Sequence, residues 1–154
     1  MARKIKLREA NIYGGVQLSH SNSHVTYNYS PGSKDEELLP EGIKEGDNVY
    51  VILKGLYADN DGVVAFHVDI LTEEDNLLRV QKNGMTQLHI TITSGQYVPV
   101  VAGQRLTEIL MASTRMEQKA KSMFYTEFKN SLIREGHFKI FRNDGRMMKK
   151  SRRL

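Results

Sequence analysis

The sequence predicts an α+β fold: a β-rich sheet followed by one long C-terminal helix. Three observations predict it. Short runs rich in valine, isoleucine and tyrosine recur between turn signals from Ile12 to Val101. Two of these runs share one pattern, His24-Val25-Thr26-Tyr27 and His89-Ile90-Thr91-Ile92. Only one long stretch, Met116 to Glu135, carries apolar residues at three- and four-residue intervals over several turns.

Taken in order, residues 4–8 mix charge and aliphatics and read as a weak strand. Ile12 to Leu18 reads as a strand holding the pair Gly14-Gly15, and glycine inside a strand pattern marks a bulge or a close backbone approach. Ser19 to Ser23 is a polar turn, strand His24 to Tyr29 follows, and Ser30-Pro31-Gly32-Ser33 breaks it. Residues 34–48 form an acidic connector with Pro40 and Gly42. Val49 to Lys54 and Val63 to Ile70, around the turn signal Asp59-Asn60-Asp61-Gly62, form the clearest hairpin.

A polar connector with a short helix around Glu73 to Val80 leads to strand Gln87 to Thr93, after which Tyr97 to Val101 is extended and Gly103 closes it. The capping box Thr114-Arg115-Met116-Glu117 then opens the long helix, whose stripe runs through Met116, Ala120, Met123, Phe124, Phe128, Leu132 and Ile133. Gly136 stands where a C′ residue belongs. His137 to Arg142 reads as a last short strand, turned by Asn143-Asp144-Gly145.

At 154 residues the chain is expected to form a single domain over 1–145, with a basic tail over 146–154. There is no cysteine, which excludes disulfides, thiolate metal sites and cysteine nucleophiles. The charged N-terminus carries no apolar leader and no run reaches membrane-spanning length, so the expectation is a cytoplasmic protein without a membrane partner. The formal charge is +4, and residues 135–154 hold seven Lys/Arg against two Asp/Glu. Arg146, Lys149, Lys150, Arg152 and Arg153 are candidate contacts to RNA phosphates, against the equal alternative of a solvated tail.

The repeated pattern carries the chemistry. Side chains alternate along a strand, so His24 and Thr26 point one way, as do His89 and Thr91, while the apolar partners point into a core. Two such strands laid side by side present two imidazoles and two hydroxyls on one surface. Histidine titrates near neutrality and serves as acid or base, and threonine hydroxyls donate to phosphoryl oxygens as charge builds there. One such match alone is usually a surface histidine beside a good strand former; the pair is the stronger signal.

Tyr13, Tyr27, Tyr29 and Tyr97 are candidates to stack on a base, with Tyr13 foremost because it adjoins Gly14-Gly15; half-buried strand packing is the competing reading for each. His67 reads as structural. His20 lies close enough to His24 to suggest a metal site, but two histidines need further ligands and Asp69, Glu73 and Asp75 lack ligand spacing, so neither metal nor cofactor is expected. Gly14-Gly15 lacks the Lys-Ser/Thr of a phosphate loop.

The two HxT stretches resemble the signature of the 2H phosphoesterase superfamily, the LigT-like proteins. The strand Tyr13-Gly14-Gly15-Val16, the middle hairpin, and Leu88-His89-Ile90-Thr91-Ile92 followed by Val98-Pro99-Val100 resemble the small cyclic-phosphodiesterase modules of fungal tRNA ligases and related phage RNA-repair proteins. The likeness covers about residues 11–111. It implies a two-lobed 2H-like sheet and a metal-independent phosphodiesterase acting on 2′,3′-cyclic phosphates at RNA or nucleotide ends. His24, Thr26, His89 and Thr91 are then catalytic, with His89 as base and His24 as acid. Larger members carry a long helix between the first strand and the first HxT motif. Here only Ser19 to Ser23 stands there, so that helix is absent or replaced, with 116–135 as the candidate replacement. Two other readings stay open: a phage-type nuclease that degrades cyclic oligonucleotide messengers with the same site, and a non-catalytic nucleic-acid-binding module whose histidines need not converge.

Overall fold

The structure is a computed structural model that describes residues 12–29, 37–82, 86–97, 100–111 and 122–142. The elements are β1 (Ile12–Leu18), β2 (His24–Tyr29), β3 (Asn48–Asp59), β4 (Val63–Thr72), β5 (Leu77–Leu78), β6 (His89–Ser94), α1 (Val100–Met111) and β7 (Met123–Arg142). The strands form one antiparallel sheet in the order β2-β1-β7-β3-β4-β5, with β6 also paired to β4. The outcome is a β-rich α+β fold, with one helix among the described residues. None of the described helices is long and apolar enough to cross a membrane.

The hairpin expected around Asp59 to Gly62 is present, with Gly62 at φ 84° where a Cβ is disfavoured. Its strands alternate, and Val49, Val51, Leu53, Val68 and Ile70 turn to a common interior with Val16, Val25, Leu88, Ile90 and Phe138. That interior is possible because the sheet curls. β2 and β6 lie at opposite ends of the hydrogen-bonded order, yet they are in contact. The segment after β5 helps to bridge the edges: Lys82 N donates to Tyr27 O at 3.0 Å and Gln81 Nε2 donates to Thr26 O at 3.2 Å. The two HxT strands are therefore not hydrogen-bonded neighbours, as a side-by-side arrangement requires. Curvature brings them together.

The long C-terminal helix is overturned. From Met123 onward the chain is a twenty-residue strand that pairs with β3 and then with β1, and the earlier part of the expected helix lies outside the described residues. The supposed helical stripe does not mark a buried face, since Phe124, Leu132 and Ile133 are 52%, 44% and 58% exposed. Aromatic and β-branched residues serve a strand equally well, and this strand finds backbone partners along most of its length, first on β3 and from Gly136 onward on β1. Gly136 is no helix cap. It crosses β1 so closely that a Cβ there would meet Gln17 O at 2.7 Å and Val16 Cγ1 at 2.8 Å.

Two further expectations change. No helix spans Glu73 to Val80; Asp75, at φ 63°, turns the chain so that Leu77–Leu78 pairs back onto β4. Val100 and Val101 open α1 rather than ending an extended run from Tyr97, and Gly103 lies inside that helix. Ala102, Leu106 and Ile109 recur at helical spacing and are buried against Tyr57, Val63, Ala65 and Met123, a second core on the outer side of the sheet. The hairpin turn anchors α1 as well, because Arg105 Nη1 reaches Asp59 at 2.6 Å and Asp61 at 2.8 Å. Residues 4–8, the capping box and the 143–154 segment, with its five basic residues, lie outside the described residues.

Candidate active site

Each HxT strand carries a β-bulge at the same motif position. On β2, Gly14 pairs with Asn28 and Gly15 with Thr26, so Tyr27 is the extra residue. On β6, Val64 pairs with Thr93 and Ala65 with Thr91, so Ile92 is the extra residue. The first apolar residue of each motif is core, Val25 at 0% and Ile90 at 4% exposure. The second is not: Tyr27 is half-buried and Ile92 is exposed. Alternation is thus broken just after each threonine, because a bulged residue has no cross-strand partner to hold it in the pleat.

The bulge on β2 also rotates the strand, so that Tyr29 joins the face of His24 and Thr26 rather than the opposite one. Tyr29 pairs with Tyr13 on β1, their rings 5.9 Å apart. Asn28 is buried instead, its amide donating to Glu37 O at 2.9 Å.

His24, Thr26, His89 and Thr91 line one cleft of about 560 Å³. Tyr13 and Tyr29 form an aromatic wall, and Asn22 and Ser23 from the β1–β2 turn complete the rim. Of the tyrosines singled out from the sequence, Tyr13 and Tyr29 belong to this cleft. Tyr27 and Tyr97 are not among its lining residues. Tyr27 is the bulged residue, and Tyr97 packs under the Arg105 guanidinium, whose carbon stands 4.7 Å from the ring centroid.

The two histidines are held differently. His89 Nδ1 lies 2.7 Å from Gln87 O. A carbonyl only accepts, so Nδ1 carries the proton and Nε2 of the neutral ring keeps its lone pair. Gln87 is fixed in turn, its N–H donating to Thr107 Oγ1 at 2.9 Å, while that hydroxyl donates to Gly103 O at 2.8 Å. Gly103 faces the ring directly, and a Cβ there would overlap His89 Cε1. His24 instead sits among aromatic rings, 5.5 Å from Tyr13 and 5.1 Å from Phe141, which itself stacks on Tyr13 at 4.8 Å.

Burial pushes the pKa of His24 below its ordinary value, and the nearby charge of His89 pushes the same way. Burial also lowers His89, opposed by its bond to Gln87 O. The arrangement offers one lone pair, one exchangeable proton and two hydroxyls around a single space. His67 stands opposite His89 in the β4–β6 register but is not part of the cleft lining; its Nδ1 meets Tyr125 OH at 2.8 Å, so it has a structural partner. Among the described residues no three His, Asp or Glu side chains are grouped to hold a metal ion.

Sequence reasoning missed Asn22, Ser23, Gln87, Gly103 and Phe141. Asn22 and Ser23 follow His20-Ser21 in a polar turn with no distinguishing signal. Gly103 carried one, since a glycine inside a Val-Val-Ala-Gly-Gln-Arg-Leu run calls for a packing reason.

No family model and no curated protein matches the sequence. Among solved structures, the chain is similar to the crystal structure of a fungal RNA kinase, with a TM-score of 0.51 and 17% identity over 82% of this chain. The matched part is 38% of that protein's length. At this identity the likeness is one of fold.

Proposed function

We propose that this protein is a phosphodiesterase of the 2H type that opens 2′,3′-cyclic phosphates at RNA or nucleotide ends without needing a metal ion. The observation that carries the reading is the convergence of two imidazoles and two threonine hydroxyls in one cleft, from strands at opposite ends of the sheet. A non-catalytic binding module has no need of that convergence. In this reading the two ends of the curled sheet are the two lobes of a 2H-like arrangement. The similarity to an RNA kinase fold is in keeping with an RNA substrate.

The residues divide the work by their surroundings. Water attacks phosphorus and gives a proton to Nε2 of His89, the nitrogen left bare by the bond to Gln87. The bond from phosphorus to one ribose oxygen breaks, and that oxygen takes a proton from His24. The product is a phosphomonoester with a free neighbouring hydroxyl, and solvent returns both rings to their starting states. Thr26 and Thr91 donate to the non-bridging oxygens, where charge accumulates in the transition state. Tyr13 and Tyr29 receive the base. Partial burial strengthens each of these polar contacts relative to water.

The test is turnover, in EDTA, of an oligonucleotide with a 2′,3′-cyclic phosphate end. His24→Ala and His89→Ala each lower kcat by about 10²- to 10⁴-fold, the range of a positioned acid or base. Turnover that survives both substitutions, or that EDTA abolishes, overturns the assignment.

A further inference from the structure

We infer that the cleft continues into a second subsite that holds a second nucleotide, joined through a phosphodiester to the one at the histidines; this deepens the phosphodiesterase reading and rests on it. A neighbouring cavity of about 480 Å³ shares Ser23 and Thr91 with the histidine cleft, so the two are contiguous on either side of those residues. The volumes are alike, about 560 and 480 Å³, and each cavity has room for a nucleoside.

The chemistry of the lining is that of a nucleotide site. Leu18, Phe66 and the exposed Ile92 present apolar surface, on which a base can lie. Arg134 and His20 supply donors at the rim. Arg134 is exposed and, among the described residues, its guanidinium meets only Ile133 O, at 3.1 Å, and no carboxylate, so its charge is available to a phosphate. Glu135 also lines the cavity. Its carboxylate only accepts hydrogen bonds, which suits an exocyclic amine or a ribose hydroxyl and disfavours a phosphate on that side. A free cyclic mononucleotide fills only the aromatic-walled half. A two-nucleotide ligand fills both, with Thr91 at the junction beside the reacting phosphate.

A linear RNA end and a cyclic dinucleotide share this chemistry, so the experiment carries an arm for each. The kcat/KM of the full chain is measured on a 2′,3′-cyclic mononucleotide, on a dinucleotide ending in a 2′,3′-cyclic phosphate, and on a cyclic dinucleotide. At least one two-nucleotide substrate exceeds the mononucleotide by about tenfold or more, as stacking of one further base implies. Arg134→Ala removes that advantage through KM and leaves mononucleotide turnover unchanged, which also reports an intact fold; Arg134→Lys retains part of it. Preference for the cyclic over the linear dinucleotide assigns the subsite to a cyclic messenger. Equal turnover of all substrates by the wild type, or equal slowing of all by Arg134→Ala, overturns the subsite and leaves the phosphodiesterase reading standing. Turnover of none overturns both.

Discussion

Gly103 on α1 lies against the imidazole edge of His89 on β6, so close that a Cβ at position 103 would overlap Cε1. The helix therefore acts as a backstop to the ring, and hydrogen bonds through Thr107 and Gln87 set its distance.

Gly103→Ala tests this backstop. Inside a helix the exchange alone gains about 1 kcal/mol, but overpacking against the half-buried His89 ring costs about 1–3 kcal/mol. The expected net is a loss of stability, visible as a lower Tm. Turnover falls further, by about a hundredfold, since a shift of about 1 Å in a catalytic group costs that much. A variant with raised Tm and unchanged kcat refutes the contact.

Acid stability reports three histidines. Burial lowers His24, His67 and His89 below the usual 6.5. Their unfolded forms bind protons more readily, so stability is complete above about pH 6.5 and falls as pH drops from there toward the folded values. Tm measured from pH 8 to pH 5 declines in that window, and His89→Gln flattens part of the slope. In the phosphodiesterase reading both limbs of the kcat/KM profile shift to the acid side of 6.5. A profile centred well above 7 argues against these two groups.

Arg105 fastens α1 to the β3–β4 turn. Burial raises the Asp59 carboxyl, but bonds from Arg105, from Tyr57 and from the backbone of Val63 and Asp61 more than offset it, and its pKa is lowered. Stability from this group is present above about pH 4 and lost as pH falls through the lowered folded value. Arg105→Ala leaves a carboxylate whose side chain is 4% exposed without its cationic partner, at a cost of about 2–3 kcal/mol. Urea titration should show a lower midpoint at pH 7 and acid sensitivity beginning at higher pH.

Tyr125→Phe separates structure from chemistry. It leaves His67 Nδ1 without the hydroxyl 2.8 Å away and costs about 1–2 kcal/mol. Burial raises the Tyr125 hydroxyl to about 12, so it stays protonated near neutrality. As His67 is not among the residues lining the cleft, kcat is expected to stay within about twofold of wild type once folded. A large drop in kcat would bring His67 into the reaction.

Local patterns marked the two motif strands, the hairpin at Asp59 to Gly62 and the strand that carries Tyr13, because alternation and turn chemistry act over a few residues. They also marked His24, Thr26, His89 and Thr91 as a set. Three things depended on the whole fold. Met123–Arg142 became a strand because β1 and β3 each left a strand edge to pair with it, whatever its helical spacing suggested. The bulge at Tyr27 brought Tyr29 onto the face of His24 and Thr26, and a bulge is a feature of pairing between strands that neither strand announces alone. Curling of the sheet brought its two ends together, so that residues from β2 and β6 share one space. Residue types and spacing supplied the chemical groups, while their convergence came from long-range pairing and burial, which act between segments far apart in the chain.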